Sequence, residues 1–168
     1  SGGTDPHLWL DPRNAAAMAR IMVIVMANTD PENAVSYRRN GAELLAELAA
    51  LDAELKQTLG PVTGVPYLVF HDAYGYFEKR YGLAASGAVA PGADRPPGAR
   101  RLRMLRRRIV DSKIACVFTE TEFTPALAKT LIEGTAARIG VLDPLGAGLD
   151  PGPGLYAGLM RGLARSLV

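Results

Sequence analysis

The feature that most constrains this chain is an unbroken helical pattern from Pro31 to Leu59, stopped by Gly60-Pro61. Leu44, Leu48, Leu51, Leu55 and Leu59 recur at spacings of three and four, which gives one apolar stripe. At 1.5 Å per residue such a helix is roughly 40 Å long, a spine and not an ordinary packing helix. A shorter helix precedes it. Asp11 can cap that helix with Pro12 at its first position, and it runs to about Ala27; Asp30 and Pro31 repeat the device. No strand pattern interrupts this region. Residues 1–60 therefore read as an N-terminal segment with a long linking helix.

After Pro61 short apolar runs alternate with helical patterns. The runs 66–70 (PYLVF), 114–119 (IACVFT) and 137–142 (ARIGVL) predict strands, and 84–90 (AASGAVA) is a weaker strand candidate. Helices are predicted over the stretch closed by Gly82, from about Pro97 to Ser112, from Pro125 to Glu133 with Thr124 as cap, and from Pro153 to Leu167. This rhythm predicts an α/β lobe over 61–168, built on a small parallel sheet of about four strands flanked by helices.

Composition narrows the function classes. The formal net charge of +2 demands no anionic partner. No run approaches the roughly 18 to 20 apolar residues of a membrane span. No charged start precedes an apolar segment, so the expectation is a cytoplasmic chain or one that begins downstream of any export signal. With Cys116 the single cysteine, a cysteine zinc cluster and an intrachain disulfide are excluded, and Cys116 is expected as a buried strand residue.

In open parallel sheets, ligands bind beyond the carboxyl ends of the strands. His71 follows the first predicted strand, Glu120 the second and Asp143 the third. His71 and Asp143 pair a nitrogen with an oxygen donor, which suits zinc and tolerates manganese. A ligating imidazole also needs an acceptor for its second nitrogen. Structural readings stand beside these. His71 can be a hydrogen-bonded turn residue, Asp143 can open a loop, Asp72 can cap a helix and Glu120 can pair with an arginine. The other histidine, His7, stands ahead of the first helix. Spacing alone leaves both sets of readings open.

Six arginines, at 100, 101, 103, 106, 107 and 108, crowd one predicted helix. A phosphate-neutralising stripe is conceivable there, but the stacking aromatics lie elsewhere and the total charge is small. A solvated helix face, with no nucleic-acid partner, is expected. No nucleophile elbow and no phosphate loop are present.

The stretches DPHLWLDPRNA, VFHDAYGYFEKRYGL, PGARRL, CVFTETEF and VLDPLG, in this order, resemble the zinc-binding, ZnuA-like substrate-binding proteins of bacterial ABC importers. The resemblance spans essentially the whole chain and the C-terminal part of such a protein. It implies one lobe of a two-lobed metal carrier, with the N-terminal lobe and its histidine upstream. By resemblance the metal ligands here are His7, His71 and Asp143, and the ion is Zn(II), with Mn(II) the alternative. The implied partner is an ABC permease in the membrane, the implied location the periplasm, and no catalysis is implied.

Departures from the family pattern carry expectations of their own. Ser166 stands where a cysteine that pairs with Cys116 is expected, and ETEF replaces a more usual E-P-x-F, which leaves the role of Glu120 open. Trp9, Tyr74 and Tyr76 shield the metal or pack the core. Without an upstream lobe, His7 is expected to be a loose terminus and zinc binding to be weak, since ordering a residue costs about 1–2 kcal/mol. The nearly all-apolar first helix predicts self-association. The competing function is a metal-dependent hydrolase using His71, Glu120 and Asp143, with Glu120 as base.

Overall fold

The computed structural model describes residues 5–90, 97–121 and 126–168. The predicted Thr124 cap lies outside the described residues. Two helices form the front of the chain, α1 (Pro12–Thr29) and α2 (Ala34–Leu59). Asp11 caps α1 as expected: its side chain accepts from the Arg13 N–H at 2.9 Å, with Pro12 in the first turn. The second Asp-Pro pair behaves differently. Pro31–Asn33 form a 3-10 turn, and the Asp30 carboxylate instead accepts from Asn33 and the Tyr37 hydroxyl, both at 2.8 Å.

The two helices pack as a hairpin. A Cβ at Gly41 would run into the Val23 side chain, so the missing side chain is what permits this close approach. The 26 residues of α2 give about 39 Å of axis, as the pattern predicted. Leu48, Leu51, Leu55 and Leu59 are buried, but Leu44 at the start of the stripe is 42% exposed. Only the second half of α2 meets the rest of the fold. Ile21, Met22, Ile24 and Val25 on α1 are likewise more than half exposed.

The sheet is parallel, in the order β1 (Tyr67–Leu68), β2 (Cys116–Thr119), β3 (Arg138–Val141). Tyr67 pairs with Cys116, and Cys116 with Arg138. The fourth predicted strand contributes only an isolated parallel bridge, Val69 to Ala88. Backbone bonds still run along it: the Ser86, Val89 and Ala90 N–H groups donate to the Tyr67, Val69 and Phe70 carbonyls. The helices α3 (Gly75–Tyr81), α4 (Ala99–Asp111), α5 (Ala126–Ile132) and α6 (Leu155–Leu167) cover the sheet. Gly82 closes α3 in the left-handed conformation at φ +71°. Asp72 makes no cap there, because α3 starts at Gly75 behind Tyr74.

Side chains alternate across the sheet and so divide the core in two. Tyr67 and Phe118 join Leu51, Leu55 and Leu59 of α2, Phe77 of α3 and Met160 and Leu163 of α6. Leu68 and Val117 face the other way, against Leu105 and Ile109 of α4 and Leu131 of α5. Polar ties brace the first layer. Arg80 of α3 forks onto Asp52 of α2, and Arg161 of α6 onto Glu54, at 2.7 Å. The Arg80 guanidinium, by hydrogen bonding, holds the Asp52 carboxyl below the usual aspartate range.

Cys116 is half-buried, less than expected, and burial pushes its thiol up. It lines a cleft of about 520 Å³ together with Ser166. The arginines of α4 are not merely a solvated face. Arg106 donates to the Thr130 and Glu133 carbonyls, Arg101 to those of Ala88 and Val89, and Arg108 to that of Ser86.

Candidate metal centre

His71 follows β1 directly, and Glu120 follows β2. The parallel register brings them to one edge: His71 Nδ1 lies 2.7 Å from Glu120 Oε1. Glu120 is only 3% exposed, and the Tyr74 hydroxyl donates to the same oxygen at 3.1 Å. A buried carboxylate needs such partners, since an unpaired one would shed its charge. An imidazole whose Nδ1–H faces a carboxylate presents its Nε2 lone pair to a ligand.

His7 repeats the arrangement on a local scale. Its Nδ1 lies 2.7 Å from Asp5 Oδ1, which also accepts the His7 backbone N–H at 3.0 Å. The His7 and His71 ring centroids are 5.4 Å apart. The structure thus brings together residues 64 positions apart in sequence, each imidazole backed by its own carboxylate.

The expectation of a loose His7 fails. The segment before α1 is bound at both ends and from beneath. Leu10 is fully buried, Asn14 Nδ2 donates to the Leu8 carbonyl at 3.0 Å, and Tyr156 of α6 donates to the Trp9 carbonyl at 2.8 Å. Trp9 Nε1 donates to the Pro144 carbonyl at 3.0 Å. The last bond ties the His7 segment to the loop that carries Asp143. The His7 and Trp9 rings stand 5.3 Å apart, so the aromatic walls the histidine as well as packing against the core. Tyr74 belongs to the core and reaches the site through Glu120; Tyr76 is half-buried.

Asp143 occupies the expected strand end, but its carboxylate is turned to its own loop. Oδ1 accepts from Leu145 N–H at 3.1 Å and Gly146 N–H at 2.7 Å, and Oδ2 from Gly148 N–H at 3.4 Å. Gly146, at φ +70°, lets the loop curl around the side chain. Among the described residues no three histidine, cysteine or acidic side chains are grouped to hold a metal ion.

Sequence reasoning missed Asp5 and left Glu120 unassigned. The D-x-H spacing of Asp5 and His7 was the available signal for the first. For the second, the signal was position at the same sheet edge as His71. Glu120 as a hydrolytic base is not supported: its carboxylate is buried and shared between His71 and Tyr74.

Comparison with known proteins bears on the same question. The family model described as zinc-uptake complex component A, periplasmic (ZnuA), matches residues 1–168. The high-affinity zinc uptake system protein ZnuA of Brucella abortus (strain 2308) is 44% identical over 166 residues, covering 99% of this chain and 50% of that protein. A crystal structure of ZnuA superimposes with a TM-score of 0.84 at 29% identity, over 96% of this chain and 58% of that one. A zinc-bound ZnuA deletion mutant gives 0.81 at 29% identity, over 98% and 60%. The chain spans about half the length of the curated relatives it matches.

Proposed function

This chain belongs to the ZnuA family of periplasmic zinc-uptake components, and on that premise we propose that it forms the Zn(II)-carrying lobe of a substrate-binding protein that serves an ABC permease. In this reading residues 1–60 are the front segment and linking helix, and 61–168 the metal-binding lobe. The protein's task is capture and handover, not catalysis, so its ligands must close around the ion without a labile water.

The carrying observation is the histidine pair. Two imidazoles on one tetrahedral zinc, with Zn–N near 2.0–2.1 Å, place their ring centroids about 5 Å apart. His7 and His71 stand at 5.4 Å, with Nδ1 of each against a carboxylate. Both rings therefore stand at the separation that ligation through Nε2 requires, and a carboxylate against each Nδ1 favours the tautomer that leaves Nε2 free. Asp143 is the third ligand in this reading, once its carboxylate leaves the N–H groups of its loop. The tie from Trp9 to Pro144 keeps that loop beside His7. Borderline nitrogen donors favour Zn(II) over Mn(II), which prefers oxygen.

Three donors leave a tetrahedral ion one ligand short, so this segment by itself binds zinc more weakly than a site with four protein ligands. Calorimetric titration with Zn(II) tests the assignment. Binding lost in His7→Ala and His71→Ala supports it; undiminished binding in either removes that histidine from the site. The exposed apolar row Ile21, Met22, Ile24 and Val25 supports self-association of this chain, which sedimentation across a concentration series tests.

A further inference from the structure

Among the described residues, helix α4 carries more charge than its contacts neutralise. It holds six arginines against one acidic residue, Asp111. Arg101 donates Nε to the Val89 carbonyl at 2.8 Å and Nη2 to the Ala88 carbonyl at 2.6 Å. Arg108 donates Nη1 to the Ser86 carbonyl at 2.6 Å. These acceptors are neutral, so they fix the guanidinium groups without cancelling their charge. The contrast is with Arg80 and Arg161, each of which faces a carboxylate. A guanidinium has five N–H donors, and both stapled arginines keep donors beyond these bonds.

The held groups border a groove of about 370 Å³ between α4 and the Gly87–Ala88 backbone. Arg101, Arg107 and Arg108 line it, with Met104 and Asp111. Gly87 keeps it open: a Cβ there would stand 3.0 Å from Arg108 Nη1, in a backbone conformation of φ +138° that side chains rarely adopt. Three cations against one carboxylate exclude a metal ion as occupant. Immobilised guanidinium forks suit a tetrahedral oxyanion, which they can contact bidentately.

We propose that this groove binds a phosphate group, held by Arg101, Arg107 and Arg108. The volume is generous for bare phosphate and admits a phosphate bearing a substituent. Free phosphate and the headgroup of an anionic lipid share that chemistry. The groove is independent of the zinc reading, because α4 packs on the Leu68 and Val117 face of the sheet while Tyr74 and Trp9 pack on the other.

The test uses the whole chain at low ionic strength with two probes: inorganic phosphate by calorimetry, and phosphatidylglycerol against phosphatidylcholine vesicles by co-sedimentation. Arg107→Gln is the informative variant, since among the described residues Arg107 makes none of the carbonyl bonds that brace the fold; Asp111→Asn is its opposite. Loss of one guanidinium should weaken binding about fivefold to tenfold, and loss of the carboxylate should strengthen it. Phosphate binding with that pattern supports the site with a free anion as ligand. Binding to phosphatidylglycerol vesicles alone, with the same pattern, supports it with a lipid headgroup. No binding of either probe, or binding that Arg107→Gln leaves unchanged, overturns the proposal. Zinc titration of the same variants should match the parent chain, which keeps this outcome separate from that of the histidine pair.

Discussion

The two sides of the proposed metal-binding edge differ in how their donors are prepared. On the histidine side, each ring is oriented by a carboxylate that is itself held: Asp5 by the His7 backbone, Glu120 by burial and Tyr74. On the Asp143 side, the donor is satisfied by its own loop. An imidazole can be anchored through one nitrogen and offer the other. A carboxylate that accepts backbone N–H groups must give up or share those bonds to take a metal. The first side is preorganised, while the second has to move.

The largest effect that can break this contrast is His71→Ala, which should lower zinc affinity about a hundredfold or more, read by calorimetric titration against a competing chelator. Asp143→Asn should cost less, about tenfold, because the loop bonds to its Oδ1 remain available to Asn and the donor must be released before it binds. A loss equal to that of His71→Ala would mean that Asp143 is as ready as the histidines. Glu120→Gln should also cost about tenfold in zinc affinity, through the orientation of His71 and without change in the ligand count. X-ray absorption showing a lost imidazole ligand in that variant would contradict the positioning role.

The smallest expected effect concerns the frame beneath both sides. The Asp52 carboxyl is held low by Arg80, so the pair contributes its stability fully above the ordinary aspartate value and loses it as pH falls through the lowered one. Thermal unfolding below about pH 4 should therefore fall more steeply for the parent chain than for Asp52→Asn, with a difference of about 1 kcal/mol at neutral pH. Equal pH profiles would remove the pair from the account.

What the sequence made legible follows the range of the forces involved. Asp11-Pro12, the leucine stripe and Gly82 act locally, and each sits in the structure where its pattern places it. Strand ends could be located because apolar runs stop at polar residues, which brought His71, Glu120 and Asp143 to one edge. Pairings between segments were beyond reach. Nothing near Glu120 in sequence indicates that its partner is His71, nor does Trp9 announce a bond to Pro144. The same limit explains Leu44: the periodicity marks an apolar stripe but not how far its cover extends. Asp143 shows the remaining ambiguity, since an aspartate that opens a Gly-containing loop and an aspartate that ligates a metal look alike in sequence.

In the proposed site, zinc is taken by Nε2 of both histidines while their Nδ1 atoms stay on carboxylates. Nitrogen-15 NMR of histidine-labelled protein during Zn(II) addition tests it most directly. The expected result is that the Nε2 resonances of His7 and His71 shift together and that both Nδ1 atoms remain protonated. Zinc bound at Nδ1 of either ring, or a response from only one of them, would contradict it.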